Sequence, residues 1–388
     1  IISEPSNPWI SGVGALFSKE FYDFVPRHLN DNGLFVQWVQ LYEINDQLVA
    51  SILAGLTHSF ADYGAWLSNS SDLLIVASKN GPLPPLDARH ILTSPQLKAE
   101  LGRLQLTSTQ RLEFRKIANA DILQGLARHF AGLPVNSDFY PVLSLNAPKA
   151  RYLNSAANGI LTLPFYLPQL LETLGVRQPM PANVSPSPLD HFIADIYTLR
   201  ARALVATMRN EPVADTDGRL NDKAILPALQ VKALLTECSN PWSDQHKSSF
   251  SIRLQELADM TMAHLTPKEL EGVFIRPDWM KCASIPSEFA PVFALLDANA
   301  RRDYVAMEEL GRNWLKQPPA IKALRTDFSP LALTSMLYSL AHQNRWNDLL
   351  QGVEQYAAGI KVNENQATGL GLLVAVAQNR KLEAKNTP

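Results

Sequence analysis

Ile1-Ile2-Ser3-Glu4-Pro5-Ser6-Asn7-Pro8-Trp9-Ile10-Ser11-Gly12 opens the chain. Two β-branched residues run into an acidic residue and then a turn rich in Pro, Ser and Asn. The stretch therefore reads as the last residues of a buried parallel strand emptying into a loop. In an open α/β sheet, ligands bind in the crevice beyond the carboxyl ends of the strands, which makes Glu4 and Asn7 candidates for a functional edge. The same residues also suit an ordinary strand end and turn.

The residues that follow extend the pattern. Phe17, Phe21, Phe24, Val25 and Leu29 recur at helical spacing, and Pro26 is expected to kink or shorten that helix. Asn30-Asp31-Asn32-Gly33 is a stop signal. Leu34 to Leu41 then reads as a strand apolar on both faces, as a covered parallel sheet requires. Asn45 or Asp46 can cap a helix whose buried stripe is Leu48, Val49, Ile52, Leu53, Leu56 and Phe60. Ala65 to Ser68 and Leu73 to Ser78 are two further strands. This order predicts an α/β layer architecture containing only half of a doubly wound sheet.

The opening stretch, with Leu16-Phe17-Ser18-Lys19-Glu20-Phe21-Tyr22 and Gly33-Leu34-Phe35-Val36-Gln37-Trp38, resembles the second half of spermidine synthases. The resemblance is greatest to the bacterial spermidine-synthase-like proteins fused to membrane segments, and it spans residues 1 to 150. Asn136-Ser137-Asp138-Phe139-Tyr140-Pro141-Val142-Leu143 is similar to an Asn-Thr-Asp-Asp-x-Pro segment near the end of that enzyme domain, with Ser137 for Thr and Phe139 for the second Asp. The fold implied is the second half of a Rossmann-like, methyltransferase-type sheet.

The chemistry implied is attack of a neutral amine on the activated carbon of decarboxylated S-adenosylmethionine. A carboxylate must take the amine's proton, and polar groups must position the nucleophile. The family's Asp-Ser-Ser-Asp turn falls on Glu4 to Asn7, so Glu4 is the implied general base, and Asn7 lacks the charge that would hold a second ammonium group. Trp9, Gln40 and Tyr42 would line the amine site with Asn7. Gln37 and Gln40 both lie near a strand end, and the motif does not choose between them; Glu43 follows Tyr42 into the loop. The loop at Asn69-Ser70-Ser71 is short and lacks the Tyr-Pro stretch that closes over substrate in typical members.

Two other readings use the same residues. Ser6-Asn7-Pro8-Trp9 resembles the Asn-Pro-Pro-aromatic turn of S-adenosylmethionine-dependent amino-methyltransferases, although Pro5 is misplaced and Glu4 has no role there. In the other, the α/β part is catalytically degenerate and a helical repeat array binds a protein partner. The cofactor half is missing: there is no Gly-x-Gly-x-x-Gly and no upstream acidic strand end. Its contacts are expected to precede Ile1, so this chain alone is expected not to bind the nucleoside co-substrate. No His or Cys spacing suggests a metal site, and there is no Gly-x-Ser-x-Gly elbow or phosphate-binding loop.

Composition narrows the class. The 388 residues can bury a substantial core, and 46% hydrophobic with 19% charged residues is a globular balance. A net charge of -2 offers no basic surface for nucleic acid. Cys238 and Cys282 cannot build a disulfide framework, which fits a reducing, cytoplasmic setting. No run is a membrane span. The chain opens inside a strand without an initiator Met, so it is expected to be a fragment or cleaved product. The fused relatives imply a parent attached to the inner membrane through upstream segments.

Arg177 to Pro188 contains four prolines and no apolar period, which marks a linker. The expected layout is an α/β domain over 1–150, a helical segment and linker over 151–188, and an all-helical domain over 189–388. Helices are expected near Phe192–Met208, Leu226–Glu237, Ile252–Leu265 and Phe289–Leu315. Ala300-Arg301-Arg302-Asp303-Tyr304 is echoed at His342-Gln343-Asn344-Arg345-Trp346, and less well at Ala377-Gln378-Asn379-Arg380. That suits either a degenerate tetratricopeptide-like array or a non-repetitive bundle. The partners expected are a small amine, a protein at the helical region, and a second copy of the chain.

Overall fold

The structure is a computed structural model that describes all residues except 105, 185–193, 214–219, 221, 237–241, 276–284, 320–321 and 387–388. Cys238, Cys282, Pro186 and Pro188 lie outside the described residues.

Five strands form one open, mixed sheet: β1 (Ile2–Ser3), β2 (Leu34–Gln40), β3 (Asp62–Leu67), β4 (Asp72–Ser78) and β5 (Lys116–Ala118). Their order is β1-β2-β4-β3-β5. Only β1 and β2 pair in parallel, with Ser3 opposite Gln37. The other pairings are antiparallel, so the covered parallel sheet expected around β2 is parallel on one side alone. The reason lies in the linkers. A helix crosses over between β1 and β2, whereas the Ser68–Ser71 turn joins β3 to β4 directly and forces a hairpin. β5 is an addition that periodicity did not signal.

Helix α1 (Lys19–Phe24) starts at Ser18, whose Oγ accepts from Phe21 N. It gives way to a 3₁₀ turn over Val25–His28, with Pro26 inside the first turn where its missing N–H costs nothing. Helix α2 (Asp46–Ser59) is capped by Asn45, whose side chain accepts from Leu48 N at 3.0 Å. Asp46 instead accepts from Gly159 and Ile160 N–H, capping a later helical turn. α1 and α2 bury the sheet face carrying Phe35, Val39, Tyr63, Ala65, Ile75 and Ala77. There Phe35 stacks on Phe60 at 5.3 Å between centroids and meets Phe21 and Tyr22 edge-on.

Beyond Ala118 the described residues contain no strand. Helices α3 (Ala120–His129) and α4 (Val142–Tyr152) complete the α/β part. The single helix expected over Phe289–Leu315 is two, α5 (Ala290–Arg301) and α6 (Tyr304–Lys316), broken where Arg302 adopts φ 55°. Helices α7 (Lys322–His342), α8 (Trp346–Tyr356) and α9 (Glu364–Asn386) follow. Asn344 repeats the left-handed break with φ 57°, so the two best sequence echoes are equivalent turns between helices. Tyr304 and His342, one from each, stack at 3.8 Å. The third echo lies in the middle of α9 and marks no turn.

Two hydrophobic clusters hold the molecule. The first runs from Phe17 to Met180 and continues into Leu333, Leu337, Leu340, Leu349, Leu372 and Val376. The second gathers Ala201, Phe250, Leu257, Phe274, Phe289, Leu296 and Phe328. α9 lies on α3, secured at its rim by Arg380–Asp121 and Arg128–Asn379, each at 2.6 Å. Arg177, at the start of the expected linker, is buried: its guanidinium donates to the carbonyls of Phe114 and Pro164. Arg302 pairs with Glu172 at 2.9 Å, both side chains 7% exposed, and also donates to the carbonyls of Met262 and Leu265.

Candidate functional site

The adjacent parallel strands β1 and β2 end at the same edge of the sheet, and Gln37 ties them there. Its Nε2 donates to Trp38 O at 2.9 Å and to Ser3 O at 3.4 Å. Gln37 therefore points to the covered face and braces the end of β1. Gln40, three residues on, has the opposite parity and lies on the other face. The pleat therefore puts the two glutamines on opposite faces of the sheet.

Gln40 stands directly across from Asp72 at the start of β4, and cross-strand partners share a face. Both ends of the Gln40 amide are buried without a hydrogen-bond partner among the described residues, as is Oδ1 of Asp72. The other oxygen, Oδ2, accepts from Asn69 Nδ2 at 2.6 Å. Asn69 Oδ1 in turn accepts from the N–H of Ser71 and Asp72, so the short turn fixes this carboxylate. Tyr42 lies just past β2, half-exposed, bridged to Ala156. Its phenol is raised above its ordinary value by partial burial and by the carboxylates of Asp72 and Glu43. Gln40, Tyr42 and Asp72 thus converge. Sequence reading missed Asp72, because only the hairpin register sets it opposite Gln40.

Glu4 is exposed, one residue past β1, and makes no hydrogen bond or ion pair with a described residue. Asn7 is half-buried and uses its carbonyl to close a turn with Ile10 N at 3.0 Å. Trp9 packs against the core with the Arg151 guanidinium 4.9 Å from its ring centroid. Arg151, on α4, also lies 3.6 Å from the Glu43 carboxylate. It joins the loop after β1 to the loop after β2, a role no spacing in the sequence announces. Glu43 takes φ 53°, a left-handed conformation uncommon for a non-glycine residue.

Asn136 fixes the opening loop from behind. Its Nδ2 donates to Gly14 O at 2.9 Å, its Oδ1 accepts from Leu143 N, and its carbonyl accepts from Lys19 N. Glu20 accepts from Asp138 N at 2.9 Å. The segment from Asn136 to Leu143 is therefore a clamp on the loop that carries Asn7 and Trp9.

The face bearing Gln40 and Asp72 continues into an apolar cavity of about 790 Å³. Leu34, Val36, Trp66, Leu74 and Val76 form its floor, and Leu83 to Leu86 overhang it. Lys116 stands beside Trp66, its ammonium 5.3 Å from a Trp66 ring centroid. Burial lowers its pKa against the opposing influence of Asp62 and Glu113.

Among the described residues no three His, Cys, Asp or Glu side chains gather as a metal site, and no helix is long and apolar enough to cross a membrane. No family model, curated protein or solved structure matches this chain.

Proposed function

We propose that the α/β part carries the second half of a Rossmann-like, methyltransferase-type sheet. In this reading it belongs to a spermidine-synthase-like transferase that moves an aminopropyl group from decarboxylated S-adenosylmethionine to an amine. The observation that carries the reading is the convergence of Gln40, Tyr42 and the free oxygen of Asp72 at the end of β2, beside the end of β1. An amine acceptor needs what this edge offers: a carboxylate and an amide oxygen to accept its N–H groups, and a proton acceptor close by. Asp72 supplies the charge that Asn7 lacks. In the transfer the amine nitrogen bonds to the propyl carbon, the carbon–sulfur bond breaks, and the amine's proton passes to Glu4.

The methyltransferase reading has less support. Arg151 lies over the Trp9 ring that would stack on a planar substrate.

The test is transfer by the protein carrying this chain, with decarboxylated and ordinary S-adenosylmethionine as alternative donors. Glu4→Gln slows turnover roughly 10²–10⁴-fold, while Asp72→Asn mainly raises KM for the amine. Aminopropyl transfer that survives Glu4→Gln with less than tenfold loss removes Glu4 as the base. Transfer from ordinary S-adenosylmethionine alone replaces this reading with the methyltransferase one.

A further inference from the structure

A second cavity, of about 560 Å³, opens where the end of α6, the start of α7 and the loop after α8 meet. Its volume is within the range of small-molecule sites. Three of its lining residues are cations, Lys322, Arg325 and Lys361, and none is a carboxylate. All three are exposed and make no hydrogen bond or ion pair with a described residue.

Elsewhere in the helical region Arg202, Arg302, Arg312 and Arg345 each pair with a carboxylate. The nearest acid along α7, Asp327, does not line the cavity and accepts a hydrogen bond from the Ser251 hydroxyl. In a chain of net charge -2, three cations around one concavity with no carboxylate in its lining concentrate positive potential, and a cleft focuses that field. Thr326 adds a hydroxyl beside them, and Trp314 and Ile360 add apolar wall. Donors and cations line the cavity, and an apolar surface backs it.

We infer that this cavity binds a small organic anion carrying at least two negative charges, in the class of diphosphates and tricarboxylates. The cations take the charged groups, and the Trp314 side takes the ligand's carbon skeleton. The inference concerns a site separate from the β1–β2 edge and does not depend on the transferase reading.

Calorimetric titration of the whole protein tests it, with pyrophosphate, citrate and acetate as probes. Pyrophosphate or citrate is expected to bind at one site, acetate far more weakly, with affinity falling as salt is added. Lys322→Gln, Arg325→Gln and Lys361→Gln are each expected to weaken binding by roughly three- to tenfold, and the triple variant to abolish it. Because all three side chains are exposed, unchanged thermal unfolding of the variants excludes misfolding as the cause. Lys268→Gln, elsewhere on the surface, leaves binding unchanged. Retention of full affinity by the triple variant, or no binding of either multivalent probe at millimolar concentration, overturns the inference. So does affinity for oligoglutamate that keeps rising with peptide length, because it would make the surface a peptide-docking face.

Discussion

Gly125 on α3 lies so close to Leu372 on α9 that a Cβ at residue 125 would sit 2.8 Å from Leu372 Cδ1, and equally close to Val376 Cγ2. The absence of a side chain is what lets the two helices touch. Gly125→Ala therefore gains helix propensity but presses on the Leu372 and Val376 side chains of α9, which must shift. Overpacking of this kind costs about 1–3 kcal/mol, so the variant should lose stability in urea titration. A gain in stability would mean that α9 yields freely.

Gln40 sets stability against function. Its buried amide has no partner among the described residues, and leaving such a group unsatisfied costs about 1–3 kcal/mol. Gln40→Leu is expected to raise the unfolding midpoint and, on the proposed transferase reading, to weaken amine binding. A variant that is both less stable and fully active would show that the amide is structural.

Arg302 makes the opposite case. Removing one partner of a buried ion pair leaves the other charge uncompensated, at a cost of about 3–5 kcal/mol. Arg302→Met strands Glu172 and frees the Met262 and Leu265 carbonyls. Pairing it with Glu172→Gln should restore part of the loss. A double-mutant cycle with no coupling would place the effect elsewhere.

His264 gives a pH signature. It is buried against Tyr197, and burial, aided by the Arg177 charge, pushes its pKa from 6.5 down to about 3. The fold accepts only the neutral ring, whereas the unfolded chain takes up a proton once the pH drops below 6.5. Stability is therefore lost as pH falls from 6.5 toward about 3, by up to about 1.4 kcal/mol per pH unit from this group. His264→Phe keeps the ring contact and removes that slope. Equal pH dependence of the two proteins in denaturant titrations would contradict this.

The elements visible in the sequence were those with a sustained period. The α2 stripe, the β2 run and the Asn-Asp-Asn-Gly stop all appear where the residues put them. β5 was hidden because three residues, Lys116 to Ala118, carry no periodicity. The break at Arg302 was hidden because left-handed turns favour Gly or Asn; Asn344, at the equivalent turn, is the legible version. At the candidate site, the residues on strand ends could be named from local order. Asp72 and Arg151 could not, since one depends on hairpin register and the other on a helix more than a hundred residues away. Within the proline-rich stretch, composition says nothing of the burial of Arg177, whose bonds to Phe114 and Pro164 hold it in the first core.

The seat of α9 on α3 also sets an order of events during synthesis. α3 ends at His129 and α9 begins at Glu364, so at ordinary elongation rates of roughly 5–20 residues per second the ribosome needs roughly 10–50 s to deliver the partner. For that interval the nascent α/β part displays the groove around Gly125 to solvent or to whatever chaperone shields it. Maturation of the first core therefore waits on translation of α9.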